Sequence, residues 1–456
     1  MTLDAVRRSS QTMPRIVIVG AGFAGLEVAK SLGHAGIAAT VVDRRNHHLF
    51  QPLLYQVATA DISSTDIAEP IRKILKRHKS IQVIFGEVTS IDPHGKILYL
   101  SGGTALPYDI LVLAPGSRTS YFGHDEWAAA APGLKTLEDA RTIRSRLLLA
   151  FEQAERSTDP EEQQRLMTFV VIGGGPTGVE LAGSMAELAH QTLAEEFRNI
   201  QPMRARIMLV EAGPRLLAGF SPRVSDYAKR SLEKLGVEVL LGNAVEAIEP
   251  NRVVIAAEGI PVGLTVWAAG VSASPLTGHL GVERDRMGRV EVAPTLQVIG
   301  CPDVYALGDI ARFTDADGKL LPGLAQVAKQ QGLHFGKALV RKLETGADLS
   351  PFVYRSRGNT AIIGRHAGVF ELGRTTLRGW FAWVAWAFIH VYLLVGFQHR
   401  LQVSLQWLWR YLTYERGARL ISTDQLAAQA QVEENRTPRD DHDLQPAKED
   451  VSGPQK

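Results

Sequence analysis

Glycines and carboxylates recur in this chain at the spacing that holds a dinucleotide. The glycines stand in Gly20-Ala21-Gly22-Phe23-Ala24-Gly25 and, about 150 residues later, in Gly173-Gly174-Gly175-Pro176-Thr177-Gly178. Each run follows a short apolar strand pattern, Ile16 to Val19 and Phe169 to Ile172, and opens a helical one. Such glycines permit a tight turn and let backbone N–H groups approach a pyrophosphate at a helix N-terminus. Asp43 ends the next strand, Ala38 to Val42, where a carboxylate accepts hydrogen bonds from a ribose. Glu211 takes the same place after Ile207 to Val210, further downstream because the intervening helix is long. It disfavours a 2′-phosphate and so selects NADH over NADPH, with Arg215 near enough to soften that preference. Two dinucleotides in one chain imply electron transfer between them.

The elements that must position these residues alternate between strand and helix from Pro14 to about Leu343, the pattern of an α/β fold with parallel sheets. Short strands at Val83 to Phe85, Val88 to Ile91 and Ile97 to Leu100 predict a β-meander, and a matching one is expected between Val237 and Ile255. After each meander an apolar strand ends in small residues, Ala114-Pro115-Gly116 and Ala268-Ala269-Gly270. The two halves read as one duplicated nucleotide-binding unit. A third element, Val304 to Ile310, ends in Gly308-Asp309, and a helix is expected from about Leu324.

Bulk properties narrow the chemistry. Fifty basic and 48 acidic residues leave a net charge of +2, which argues against nucleic acid as the main partner. The single cysteine, Cys301, rules out an intramolecular disulfide, a C-x-x-C redox pair and a thiolate cluster. The thirteen histidines show no metal-ligand spacing, so no metal is expected; adjacent His47 and His48 read as loop residues near a cofactor edge. Met1 to Met13 lacks the apolar core of a secretory signal.

With Asp309 and the stretches that follow, the chain resembles the flavoproteins with two dinucleotide-binding domains, and within them the type II NADH:quinone dehydrogenases, which are single-subunit and pump no protons. The likeness rests on Phe50-Gln51-Pro52-Leu53-Leu54-Tyr55-Gln56-Val57-Ala58, on Gly178-Val179-Glu180-Leu181-Ala182-Gly183, and on Ala325-Gln326-Val327-Ala328-Lys329-Gln330-Gln331-Gly332. It extends from Pro14 to about Ile421. It implies two Rossmann-like domains, an FAD-binding one (14–118 and 283–345) and an NADH-binding one (119–282), followed by a C-terminal helical membrane-attachment region (346–421) and a disordered tail (422–456).

The resemblance implies that FAD meets Gly20, Gly22, Phe23, Ala24, Gly25, Asp43, Gln51, Val88, Ala114, Gly116, Gly308, Asp309, Ala325 and Gln326. NADH would meet Gly173, Gly175, Thr177, Gly178, Glu180, Glu211, Ala269 and Gly270. Glu180 is expected in the first turn of its helix, where the dipole favours a carboxylate, to orient the nicotinamide or relay a proton toward quinone. Gln326 and Gln330, four apart on one helix face, are expected to bracket a quinone carbonyl.

Gly379 to Phe397 carries no formal charge and reaches the length of ~18 residues at which a span becomes possible. Trp380, Trp383 and Trp386 recur every third residue, and His390 sits awkwardly for mid-bilayer. Leu401, Leu405, Leu408 and Leu412 follow at helical spacing, with Trp407, Trp409 and Tyr411 among them and Arg400, Arg410, Arg416 and Arg419 supplying charge. The expected mode is therefore monotopic attachment to the cytoplasmic face of the inner membrane. The resemblance further implies a membrane quinone as partner and a homodimer built through the C-terminal region. Two rivals stand beside it: a soluble reductase of a ferredoxin-like carrier, and a flavin redox sensor without sustained turnover.

Overall fold

The computed structural model describes residues 13–393, 401–407, 409 and 418–421. Strand Ile16–Val19, buried along its whole length, lies at the centre of a five-stranded sheet. Across that sheet run Val304–Ala306, Ile110–Leu113, Ile16–Val19, Ala39–Asp43 and Ile81–Phe85, every pair parallel. Unbroken runs of Val, Ile and Leu suit strands covered on both faces.

Four more strands repeat this layout. Leu264–Trp267, Thr168–Ile172, Arg206–Glu211 and Val237–Leu241 take the places of Ile110–Leu113, Ile16–Val19, Ala39–Asp43 and Ile81–Phe85. The fifth strand of the first sheet, Val304–Ala306, arrives only after the second sheet is complete, so one domain is inserted into the other. Where the chain passes between them, Ser117–Thr119 pairs antiparallel with Val271–Ala273.

The meanders differ from expectation in the same way in both halves. Ile81–Phe85 and Val237–Leu241, the expected first meander strands, are edge strands of the parallel sheets. The meanders proper are Val88–Asp92, Ile97–Leu100 and Ala105–Pro107, and Val245–Glu249, Arg252–Ile255 and Glu258–Pro261. Apolar alternation marks a strand but does not say which sheet it joins.

Helix Ala325–Thr345 lies along fingerprint helix Phe23–His34. A Cβ at Gly332 would stand 2.2 Å from the carbonyl oxygen of Ala24, so only glycine allows the two helices to approach this closely. Beyond it, Asn359–Gly364, Ala367–Leu372 and Thr375–Gly379 form an antiparallel sheet ahead of helix Trp380–Leu393, so the C-terminal region is not helical alone. Strand Asn359–Gly364 packs on the second fingerprint helix, Pro176–Glu187, with Ile363 O only 1.8 Å from where a Gly183 Cβ would be.

Among the described residues no helix is long and apolar enough to cross a membrane. The expected disordered tail from 422, the N-terminal segment to residue 12, and Arg400, Leu408, Arg410, Tyr411, Leu412 and Arg416 lie outside the described residues. Leu420 and Ile421 belong to a separate unit and carry no helix or strand.

Candidate functional site

Both glycine loops are built alike to the atom. Gly20 and Gly173 have φ of +94° and +112°, a region open to glycine, and their N–H groups donate to Val42 O and Val210 O, each at 2.8 Å. Gly25 and Gly178 pack against these turns: a Cβ on either would fall within 2 Å of Gly20 O or Gly173 O. Gly22 and Gly175, at the helix N-caps, face open space on the side where a Cβ would stand. Backbone N–H groups at that end are available to an anion.

The acids are clamped in matching fashion. Asp43 accepts from Ala21 N at 2.6 Å and Arg45 N at 2.8 Å, and Glu211 from Gly174 N at 2.6 Å and Gly213 N at 2.7 Å. The spans are 22 and 37 residues, so the long insertion before Glu211 leaves the constellation unchanged. An ionised carboxylate has about four acceptor sites, so each keeps capacity for a ribose. Arg215, expected to soften the preference at Glu211, spends its guanidinium on Phe220 O, Ala218 O and Ser225 Oγ. Gly173 abuts Ala268 and Ala269, Gly270 abuts the Phe122 ring, and Thr177 is exposed at the helix start.

The first loop opens into a cleft of about 680 Å³. Of the residues expected to meet FAD, all except Gly25 and Gln326 line it. Gly25 supports the turn from behind, and Gln326 points elsewhere. Two further liners escape sequence reasoning. Ser117 Oγ donates to Asp309 Oδ2 at 2.6 Å and accepts from Lys135 Nζ at 3.1 Å, a polar chain across the cleft. Burial lowers the pKa of Lys135, against the opposing pull of Asp309. Its only local signal is the capping box of Thr136 and Asp139, which starts helix Leu137–Arg156 just beyond it. His47, expected in a loop at a cofactor edge, does line the cleft but from strand His47–Leu49, and its buried Nε2 has no partner among the described residues. Its neighbour His48 is buried behind the loop, bonded to Ala21 O at 2.9 Å, and burial pulls its pKa down to about 4. Among the described residues no group of His, Cys, Asp and Glu has the arrangement of a metal site.

Glu180 corrects the sequence expectation. It is the fifth residue of helix Pro176–Glu187, beyond the first turn, which holds no acid. The strand Asn359–Gly364 covers it, Ile362 N donates to Oε1 at 3.2 Å, and burial pushes its carboxyl up to about 8. The group is therefore mainly protonated at neutral pH rather than a charge held by the dipole.

The two glutamines hold a loop in place. They share a helix face as expected, but both amides grip the backbone of residues 355–358. Gln326 Nε2 donates to Gly358 O at 3.0 Å while Oε1 accepts from Arg357 N at 3.2 Å. Gln330 Nε2 donates to Arg355 O at 2.9 Å while Oε1 accepts from Arg355 N at 3.1 Å. Two reciprocal amide pairs make a clasp. Changing Gln326 to Leu should cost about 1–2 kcal/mol and speed protease cleavage within 355–358; unchanged cleavage would remove the clasp.

The aromatic stretch divides by face. Trp386 is 2% exposed and stacks between His390 and Trp407, at 4.3 and 5.1 Å. Trp407 Nε1 donates to Gln56 Oε1 at 3.0 Å, tying this region to the segment after Phe50. His390 is buried and held to a pKa of about 4. Phe381, Val384, Phe388, Leu401, Leu405 and Trp409 are exposed, an apolar surface that a water-facing helix does not ordinarily present.

A family model described as pyridine nucleotide-disulphide oxidoreductase matches residues 14–332. The chain is 42% identical over 431 residues to the type II NADH:quinone oxidoreductase NdhA of Mycobacterium tuberculosis, across 91% of this chain and 90% of that relative. It is 41% identical over 434 residues to Ndh of the same organism, a second type II NADH:quinone oxidoreductase, across 92% and 93%. Among solved structures, NDH2 from Plasmodium falciparum in complex with NADH matches with a TM-score of 0.83 across 89% of this chain and 99% of that one; at 21% identity this likeness bears on the fold.

Proposed function

We propose, for a chain that belongs to the pyridine nucleotide-disulphide oxidoreductase family and within it to the type II NADH:quinone oxidoreductases, that FAD occupies the large cleft and NADH the second glycine loop. Electrons then pass to a membrane quinone at the cytoplasmic face of the inner membrane, and no proton is carried across. The observation that carries this reading is the duplicated loop-and-carboxylate constellation, one copy of which opens into the cleft of about 680 Å³. The single cysteine leaves no dithiol to compete as electron acceptor.

The residues present suit FAD. The open side of Gly22 admits a pyrophosphate, Asp43 has acceptor capacity for a ribose, and the buried Nε2 of His47 has no partner among the described residues, which a cofactor atom would supply. Asp309 offers a carboxylate to the polyol chain, steadied by Ser117. When bound, the flavin supplies a hydride acceptor at N5 and passes on two electrons. Helix Ala325–Thr345 starts at the cleft with Ala325 and Ala328 on its wall, and its N-cap Leu324 brings no side-chain acceptor. Its N–H groups and dipole therefore favour negative charge there. Glu180, packed under strand Asn359–Gly364 with its carboxyl pushed up to about 8, holds a proton within the second fingerprint helix itself. The clasp of Gln326 and Gln330 positions the 355–358 segment that leads into strand Asn359–Gly364, so these glutamines act on the quinone through that segment.

Anaerobic titration tests the reading: NADH should bleach the flavin of the purified protein and a short-chain quinone should restore it. A flavin that NADH does not reduce would defeat it.

Attachment follows from the apolar face. Helix Trp380–Leu393 buries Trp386 against His390 and Trp407 on one face and exposes Phe381, Val384 and Phe388 on the other. Lying flat, with Phe381 and Phe388 in the interface, suits this geometry. Replacing both with Ser should cut co-sedimentation with lipid vesicles at least ~10-fold and leave NADH-driven flavin bleaching intact; undiminished sedimentation would place the contact elsewhere. A homodimer joined through the C-terminal region belongs to the same reading, checked by light scattering in detergent.

A further inference from the structure

Duplication within the chain sets one nucleotide site against the other, residue by residue. Leu113 pairs with Val19 and Trp267 with Ile172, so Ala114-Pro115-Gly116 and Ala268-Ala269-Gly270 hold equivalent places beyond two strand ends. Both turns abut their glycine loops in the same way. A Cβ at Gly20 would meet Ala114 and Pro115, and one at Gly173 would meet Ala268 and Ala269. The third position breaks the match. A Cβ at Gly116 would meet no atom within 4 Å, and that residue lines the large cleft. At Gly270 it would stand 3.0 Å or less from three carbons of the Phe122 ring.

Phe122 is held in that place by its neighbours rather than by burial of its own. It is 66% exposed, and its backbone φ of +55° is one that a bulky side chain rarely adopts. On one side, Ser120 N donates to Gly270 O at 3.1 Å and Ser120 O accepts from Trp267 Nε1 at 2.8 Å. On the other, Tyr121 is buried and its hydroxyl donates to Ala131 O at 2.8 Å. The Phe122 ring itself meets Trp267 edge-on, with centroids 6.0 Å apart. A pinned backbone thus lays a mostly exposed ring on Gly270, and rotation about its Cα–Cβ bond clears the glycine without unfolding the segment.

Sheet order puts a ligand on the same face. Ligands of open parallel sheets lie outside the carboxyl ends of the strands. In the NADH:quinone reading, on which this inference rests, the adenosine ribose lies at Glu211 and the pyrophosphate at the loop after Ile172. The next strand across is Leu264–Trp267, so the nicotinamide half runs over Ala269 and Gly270. Glycine lets a ligand approach the backbone closely there.

We infer that Phe122 is a steric gate on NADH. Its ring covers the seat of the nicotinamide half on Gly270, and the dinucleotide binds by turning that ring aside. Entry breaks the edge-on contact with Trp267. A nucleotide that ends at its phosphates never reaches the gate, so the gate acts on dinucleotides alone.

Anaerobic stopped-flow bleaching of the full-length holoprotein, followed across NADH concentrations, tests this. Phe122→Ala should lower the half-saturating NADH concentration about fivefold, the worth of one edge-on ring contact. Inhibition by ADP, which ends at the pyrophosphate, should stay at its wild-type strength. Adding Gly270→Ala to Phe122→Ala sets a methyl on the seat with the ring gone, and should raise half-saturation roughly tenfold. If Phe122→Ala is unstable, Phe122→Gly, which suits the positive φ, takes its place with the same outcomes expected. The inference is overturned by half-saturation that stays the same or rises when the ring is removed. It is equally overturned if the added methyl has no effect, or if ADP inhibition tightens in step with NADH. Wild-type flavin that NADH never bleaches overturns the NADH:quinone reading instead.

Discussion

Asp309→Ala should purify without the yellow of bound flavin. Asp309 faces the large cleft from the turn that follows strand Val304–Ala306, and Gly308 N–H donates to Gln331 Oε1 at 2.7 Å, which fixes that turn to helix Ala325–Thr345. Its carboxylate is the anionic end of the chain through Ser117 to Lys135. Hydrogen bonds to an ionised acceptor contribute about 1.5–3 kcal/mol each. Loss of two toward the polyol, with Lys135 left uncompensated, should weaken FAD by roughly three orders of magnitude. Asp309→Asn keeps an acceptor and should fall between. Visible absorbance of the purified variants and equilibrium dialysis against FAD decide the matter, and a full flavin complement in Asp309→Ala would remove Asp309 from the cofactor site.

The second large effect concerns Glu180, and its sign follows from the direction of the shift. Its carboxyl titrates at about 8 in the folded protein against an ordinary 4.5. Between those values the folded chain holds a proton that the unfolded chain has released, so stability falls as pH rises through this window and levels off above it. Glu180→Gln removes the penalty and can still accept from Ile362 N. The variant should match wild type near pH 4 and exceed it by a few kcal/mol above pH 8. Urea melts across that range test it: parallel pH profiles would mean that the carboxyl is not held neutral. The same change should slow quinone reduction by about 100-fold while NADH binding persists.

What the sequence disclosed, and what it hid, follows from the range of the forces involved. The glycine loops were legible because their demand is local: a positive φ at Gly20, a helix so close that a Cβ at Gly25 would fall within 2 Å of the Gly20 carbonyl oxygen, an acid at the next strand end. Asp309 and the cleft residues from Phe50 onward were reached through resemblance, since nothing nearby fixes their role. Glu180 was placed on the right helix but assigned the wrong environment, because its cover comes from Ile362, 182 residues away. The face shared by Gln326 and Gln330 was legible from helical spacing; their partners on 355–358 were not. Lys135 sits in a connection whose direction no periodicity describes. Along Trp380–Leu393 the spacing showed a stripe, but only packing separates buried Trp386 from exposed Phe381 and Phe388.

The insertion of one nucleotide domain within the other dictates an order of events during synthesis. The inner sheet, from Thr168–Ile172 to Leu264–Trp267, is finished while the outer one still waits for Val304–Ala306 and the long helix after it. A nascent chain emerging from the ribosome therefore completes its inner nucleotide half first. The outer half stays open until residues near 345 have been made, so a product truncated before that point would retain a folded inner domain beside an unfinished large cleft.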